Sequence, residues 1–202
     1  MNKKIPLAVS TGVLTLALAL SGCADNSTAP SSETTSPSQS SSASMATEAD
    51  EMFVTMMIPH HQQAIDMADI LLAKDGADPR VVELAEQIKA AQGPEIDKML
   101  GWLEAWGVDY DPDSMGGMDH GSIGGDDSMM SEEDMTLLED ADAAEASRLF
   151  LEQMIVHHEG AVDMAQTALD DAQNPDVLDL AQQVIDDQTA EIAAMQELLG
   201  QL

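Results

Sequence analysis

An internal repeat constrains the fold of this chain more than any other feature of its sequence. Residues 53–68 and 150–165 align without a gap and share the pattern Phe-x-x-x-Met-Ile-x-His-His-x-x-Ala-x-Asp-Met-Ala. After one gap, Asp78-Pro79 aligns with Asn174-Pro175, and the similarity then continues towards the end of each copy. We place the two copies at residues 50–106 and 147–200.

Each copy predicts a helical hairpin. Apolar residues recur at helical spacing over about 49–73 and again over 81–106. Asp78-Pro79 and Asn174-Pro175 are typical helix starts, because an Asx side chain caps a helix and Pro fits its first turn. Residues 132–171 predict either one long helix or a short helix before a long one. Since neither hairpin can bury its apolar stripe alone, we predict an all-α fold, a four-helix bundle of two hairpins.

Two sites in the first copy and one long segment depart from helical regularity. Pro59 and Gly93-Pro94 predict kinks in the first two helices, and the second copy has no Pro at these places. Residues 109–131 are rich in Gly, Asp and Met, which predicts a mobile loop between the copies.

The N-terminal segment predicts export and lipid attachment. Residues 1–22 combine two lysines with a short apolar run, and Leu-Ser-Gly then precedes Cys23, the pattern of a lipoprotein signal peptide. An uncleaved anchor helix is the alternative. Residues 23–47 are rich in Ser, Thr and Pro and predict a disordered tether, followed by a folded domain at 48–202. Both readings place the domain outside the cytoplasmic membrane.

The chain is strongly acidic. Without the two lysines of the signal peptide, five basic residues remain against 38 acidic ones, a formal charge of −33. Such a surface repels nucleic acid and anionic lipid and concentrates cations. We therefore expect no nucleic-acid partner, although solubility alone would also explain the charge.

The paired histidines carry the chemistry. Helical periodicity places His61 and His158 in the middle of the apolar stripes, and His60 and His157 about 100° away on the flanks. On the second helix of each hairpin, Gln92 and Gln188 share the apolar face. Glu95 and Glu191 lie beside them and are candidate accessory ligands.

Two interpretations of these residues remain open. In the first, His61, His158, Gln92 and Gln188 satisfy one another in a buried polar layer that fixes helix register. In the second, the histidines bind a metal, with thioethers beside the two flank positions. Imidazole and thioether together are soft ligands that select Cu(I), although Met also fills gaps in cores. The methionines concerned are Met56, Met57 and Met67 in the first copy and Met154 and Met164 in the second.

The loop between the copies offers further ligands. Met115, Met118 and His120 lie in a Gly- and Asp-rich stretch without a core to fill, which is typical of a metal-collecting segment. A solvated low-complexity loop is the alternative.

Other chemistries are poorly supported. A di-iron centre needs Glu-x-x-His motifs and further Glu residues, whereas Asp66 and Asp163 follow the histidines on another face. The sequence has no nucleophilic triad, phosphate loop or His-Glu-x-x-His motif. Nucleophilic catalysis therefore has no candidate residues, a non-enzymatic role is favoured over an enzymatic one, and we expect no organic cofactor.

The repeated Met-Ile-x-His-His-x-x-Ala-x-Asp-Met-Ala motif and the later Gln-x-x-Glu-Ile-x-x-Met resemble the DUF 305 family over about residues 50–199. The resemblance implies a ferritin-like, exported and often lipid-anchored domain, with copper binding in some members and no general enzymatic activity. The departures are Val156 in place of Pro59 and Gly160 in place of Gln63. Carried over by position, the implied ligands are His60, His61, His157 and His158 with Met57, Met67, Met154 and Met164.

The sequence therefore predicts a lipid-anchored protein that binds or buffers copper through His and Met. The alternative is a structural or interaction module of the cell envelope, and a metal-dependent oxidase is a third possibility.

Overall fold

A computed structural model of the chain describes residues 46–111 and 129–202, which form five helices and no strand. The prediction of an all-α bundle is confirmed. The helices are α1 (Glu48–Leu72), α2 (Pro79–Trp106), α3 (Glu132–Asp140), α4 (Ala143–Asp171) and α5 (Pro175–Leu199). None of them is long and apolar enough to cross a membrane.

The helix boundaries follow the sequence closely. Asp78 accepts a hydrogen bond from the Arg80 backbone N–H, and Asn174 caps α5 in the same way. Pro59 and Pro94 lie inside α1 and α2, and both helices continue through them. Residues 132–171 form two helices rather than one, because the Asp142 side chain caps a new helix at Ala143.

The bundle core consists of two apolar clusters, one towards each end. The first contains the N-terminal half of α1 and the C-terminal half of α4, and the second contains the opposite halves. Helices α2 and α5 divide between the clusters in the same manner. The two hairpins are therefore related by a pseudo-twofold axis that exchanges the clusters, with α1 and α4 antiparallel at the centre.

Helix α3 breaks this symmetry. It packs against α1 and α4 at the end of the second cluster, where Leu138 is fully buried. The Lys74 ammonium donates to the carbonyl of Glu139 and, at 3.0 Å, to that of Ala141. The Gln153 amide donates to the Asp134 carbonyl at 3.0 Å. Within the described residues, no counterpart of α3 precedes α1.

A buried carboxylate joins the start of α1 to the turn between α4 and α5. Asp50 is fully buried, and one of its oxygens accepts from the backbone N–H groups of Gln173 and Asn174 at 3.0 and 2.9 Å. Its other oxygen accepts from the Thr47 N–H and hydroxyl. Burial alone would raise the pKa of Asp50. The hydrogen bonds to its carboxylate outweigh burial and hold the pKa below its ordinary value.

We expect Asp50→Ala to reduce the free energy of unfolding by about 3 kcal/mol at pH 7, because it leaves buried backbone donors without an acceptor. Because the pKa of Asp50 is lower in the folded state than in the unfolded state, the Asp50 carboxylate stabilises the fold at pH values above the ordinary Asp pKa. This stabilisation is lost as the pH falls through the pKa of Asp50 in the folded state. Urea denaturation at pH 7 and at pH 3 measures both effects. The control is Asp66→Ala on the exposed face of α1, where a loss as large as that of Asp50→Ala would contradict the assignment.

Several predictions concern residues outside the described ranges. These are the signal peptide at 1–22, Cys23, nearly all of the tether at 23–47, and residues 112–128 of the loop.

Candidate metal centre

Four histidines form the middle layer of the bundle. His60 and His61 on α1, and His157 and His158 on α4, are each at most 1% exposed. The histidines lie at the boundary between the two apolar clusters. In each of α1, α2, α4 and α5, residues on one side of this boundary belong to the first cluster and residues on the other side belong to the second. The pseudo-twofold axis therefore passes through a polar layer inside an otherwise aliphatic core.

His60 and His157 meet on the axis. Their ring centroids are 3.7 Å apart and the rings are tilted by 33°, so the two imidazoles stack face against face. All four of their ring nitrogens are buried, and none makes a hydrogen bond of ordinary geometry within the described part of the chain. The His60 backbone lies close enough to the His157 ring to favour its charged form slightly, but burial outweighs this effect on the pKa. Unpaired buried nitrogens are costly, about 1–3 kcal/mol for each group. Either a ligand binds these nitrogens, or another contribution to stability or function compensates for their cost.

Both stacked histidines are held in the neutral form. Burial, together with the nearby His61 and His158, lowers the pKa of His60 to about 3. Burial and the neighbouring imidazoles also hold the pKa of His157 well below its usual value. Neutral imidazole is the form that binds metals. The pair is thus available as a ligand without loss of a proton.

His61 and His158 have a different environment. The His61 Nε2 lies 2.9 Å from Glu95 Oε2 on α2, and the His158 Nε2 lies 2.7 Å from Glu191 Oε2 on α5. The Gln183 amide also donates to Glu95, at 2.9 Å, which links α5 to α2. These contacts join each histidine to the second helix of its own hairpin.

The expectation that His60 and His157 lie on the flank was wrong. Both are as buried as His61 and His158, because α1 and α4 occupy the centre of the bundle and are covered on two sides. One buried face meets the partner helix of the same hairpin, and the other meets the opposite hairpin. A helical wheel with one apolar stripe does not distinguish these two faces.

The structure also differs from the alternative in which His61, His158, Gln92 and Gln188 satisfy one another. Gln92 and Gln188 are buried as predicted, at 2% and 3% exposed, but the histidines pair with Glu95 and Glu191. Both polar atoms of the Gln92 amide have no partner among the described residues. The glutamates predicted as accessory ligands thus hold the outer histidines, and Gln183 was not anticipated.

The candidate methionines fall into two groups. Met57, Met67 and Met154 are fully buried, and helical spacing places Met57 and Met154 one turn before the stacked pair. Met56 and Met164 instead line a groove at the surface, between α1 and α4. Met115, Met118 and His120 lie outside the described residues.

The donors present fit a soft monovalent ion better than a hard one. No group of three or more His, Cys, Asp and Glu within the described ranges could hold a metal ion. The unpartnered ring nitrogens in the centre are both nitrogens of His60 and of His157 and the Nδ1 atoms of His61 and His158. Buried thioethers lie one helical turn before the stacked pair. Cu(I) accepts such soft ligands, whereas iron or magnesium needs a larger oxygen set.

The repeated hairpins, the buried histidine layer and the paired glutamates define a class of pseudosymmetric helical domain. The chain belongs to the DUF305 family, a domain of unknown function whose family model matches residues 50–199. No curated protein is significantly similar to the chain.

Solved structures agree with this assignment. A DUF305 fragment from Deinococcus radiodurans is 33% identical, with a TM-score of 0.66 over 78% of this chain and 99% of that one. A DUF305 protein from Streptomyces coelicolor, classed as secreted, is 30% identical, with a TM-score of 0.67 over 76% and 91%. CopM in its Cu(II)-bound form is 34% identical, with a TM-score of 0.62 over 75% and 96%. CopM structures with Cu(I) and with silver are also similar to this chain.

We expect the double variant His60→Leu/His157→Leu to be more stable than the wild type without metal, by roughly 1–3 kcal/mol at pH 7, because it removes unpaired buried nitrogens. Its stability should also depend less on pH. Since the folded-state pKa of His60 is depressed to about 3, the wild type loses stability as the pH falls from the ordinary value of 6.5 towards 3. Denaturation at pH 7 and pH 5 measures both effects.

The matched control is His61→Leu/His158→Leu, which removes the partners of Glu95 and Glu191 and should destabilise the domain. A loss of stability in His60→Leu/His157→Leu as large as in this control would show that the stacked pair is purely structural.

Proposed function

We propose that this chain is a non-enzymatic, extracytoplasmic copper-binding protein that holds Cu(I) at the stacked histidines. The observation that carries the proposal is the set of four buried, unpartnered ring nitrogens on His60 and His157. A structural polar layer accounts for the Nε2 atoms of His61 and His158, which have carboxylate partners, but not for a pair in which neither ring nitrogen has one.

The ligands in this proposal are the ring nitrogens of His60 and His157, with the thioethers of Met57 and Met154 one turn away. The lone pairs of the stacked rings lie in the ring planes and do not converge, so the rings would turn out of the stack to bind one ion together. The soft sulfur atoms favour Cu(I) over harder cations. A bound Cu(I) would bring one positive charge into this buried polar layer.

The outer pairs complete the centre. His61–Glu95 and His158–Glu191 place a carboxylate on each side of the stacked rings, and these glutamates are only 12% and 21% exposed. Two partly buried carboxylates offset the charge of a bound cation. Hydrogen-bonded groups around a metal also orient its ligands.

Copper-bound CopM structures and a DUF305 protein classed as secreted support the proposed metal and location. We propose that the domain is exported by the signal peptide at 1–22 and attached to the membrane by lipid on Cys23. The acidic surface would raise the local concentration of cations.

The test uses the chain from Cys23 onward with Cys23→Ser, so that the thiol does not bind copper. Competition against a chromophoric Cu(I) chelator should show a site that His60→Leu/His157→Leu abolishes and that Met57→Leu/Met154→Leu weakens at least tenfold. Saturation at about one hundred times the dissociation constant should stabilise the fold by about 2.7 kcal/mol.

Met99→Leu/Met195→Leu is the matched control, because these methionines are also fully buried and equivalent in the two copies. It should leave Cu(I) affinity unchanged. Equal affinity in the wild type and in His60→Leu/His157→Leu would refute the proposed centre and favour the structural alternative.

A further inference from the structure

A groove at the surface between α1 and α4 contains three partly exposed thioethers. Met52 and Met56 lie one turn apart on α1, and Met164 faces them from α4, around a cavity of about 210 Å³. Asp163 and Asp171 lie at its edge and are exposed. The groove lies beside the first apolar cluster, and none of the four buried histidines is among its lining residues.

The pseudo-twofold axis gives this groove an internal reference. The equivalent place in the other half holds Leu149, Gln153 and Met67, and α3 covers it. There Leu138 is fully buried in the second cluster, and Met67 is fully buried as well. No described helix covers the groove of Met52, Met56 and Met164.

In the half of the bundle that α3 covers, side chains at the equivalent surface hold that helix by hydrogen bonds. Gln153 and Lys74 donate hydrogen bonds to backbone carbonyls of α3. In the open groove the corresponding positions are Met56 and Asp171, which have no such donors. The open groove therefore lacks the groups that hold a peptide, and it has sulfur and carboxylate in their place.

The thioethers and carboxylates of the groove are suited to a soft monovalent cation. Gap filling explains a buried Met, but Met52, Met56 and Met164 are partly exposed. Thioethers bind Cu(I) and Ag(I), and nearby carboxylates attract any cation. An apolar ligand would gain nothing from Asp163 and Asp171.

We propose that Met52, Met56 and Met164 form a second, solvent-accessible binding site for Cu(I), separate from the histidine centre. Three thioethers supply the ligands, and the two aspartates supply the electrostatic attraction. Met56 is one turn from His60 on α1, so the site adjoins the buried centre. The proposal does not depend on the function assigned to that centre.

The experiment follows methionine methyl groups by NMR. The chain from Cys23 onward, carrying Cys23→Ser and labelled with ¹³C at the methionine methyls, is titrated with Ag(I), which binds like Cu(I) but does not change oxidation state. Single Met→Leu variants assign the signals. We expect the signals of Met52, Met56 and Met164 to shift together and to saturate at one equivalent for this site.

Met52→Leu/Met56→Leu/Met164→Leu should bind one Cu(I) fewer in competition with a chromophoric chelator, while Met99→Leu/Met195→Leu should bind as the wild type does. Circular dichroism and the melting temperature show whether the triple variant is folded, and Met56→Leu alone is the fallback, with an expected loss of affinity of at least tenfold.

The result that would overturn the proposal is unshifted groove signals at excess Ag(I), or unchanged stoichiometry in a folded triple variant. In His60→Leu/His157→Leu the groove signals should still shift, while those of Met57 and Met154 should not. Failure of the groove site and failure of the histidine centre are thereby distinguished.

Discussion

The contact between two neutral imidazoles at the centre of the bundle organises the rest of the structure. His60 and His157 stack at 3.7 Å on the pseudo-twofold axis, and the two apolar clusters lie on either side of them. A core of the same size could be wholly aliphatic and more stable. The cost of unpaired nitrogens is offset by two well-packed clusters, and the result is a stable scaffold with one buried polar layer.

Much of the fold could be predicted from the sequence, because the repeat determines the hairpins and the Asx-Pro pairs determine two helix starts. Burial of His61 and His158 followed from the apolar stripe. Burial of His60 and His157 did not, because it depends on which helices are central, and periodicity alone does not show this. Pairing of His61 with Glu95 joins residues 34 positions apart on different helices, which a wheel for one helix cannot show.

The symmetry of the repeat also concealed a difference between the two halves. Met56 and Met164 occupy positions that the pattern places beside the histidines, yet they line a surface groove. Their equivalents Gln153 and Met67 lie beneath α3. Helix α3 has no repeat partner among the described residues, so alignment of the two copies could not reveal which thioethers it leaves uncovered.

The stacked pair on a twofold axis has a consequence for the origin of the domain. An interface whose equivalent residues contact each other is self-complementary, so a single hairpin could form it as a homodimer, with His60 against its own copy. Joining two such hairpins in one chain frees each half to diverge. Within the described residues, one half has a covering helix, while the other has three partly exposed methionines in its place. A symmetric homodimer cannot specialise its two halves in this way.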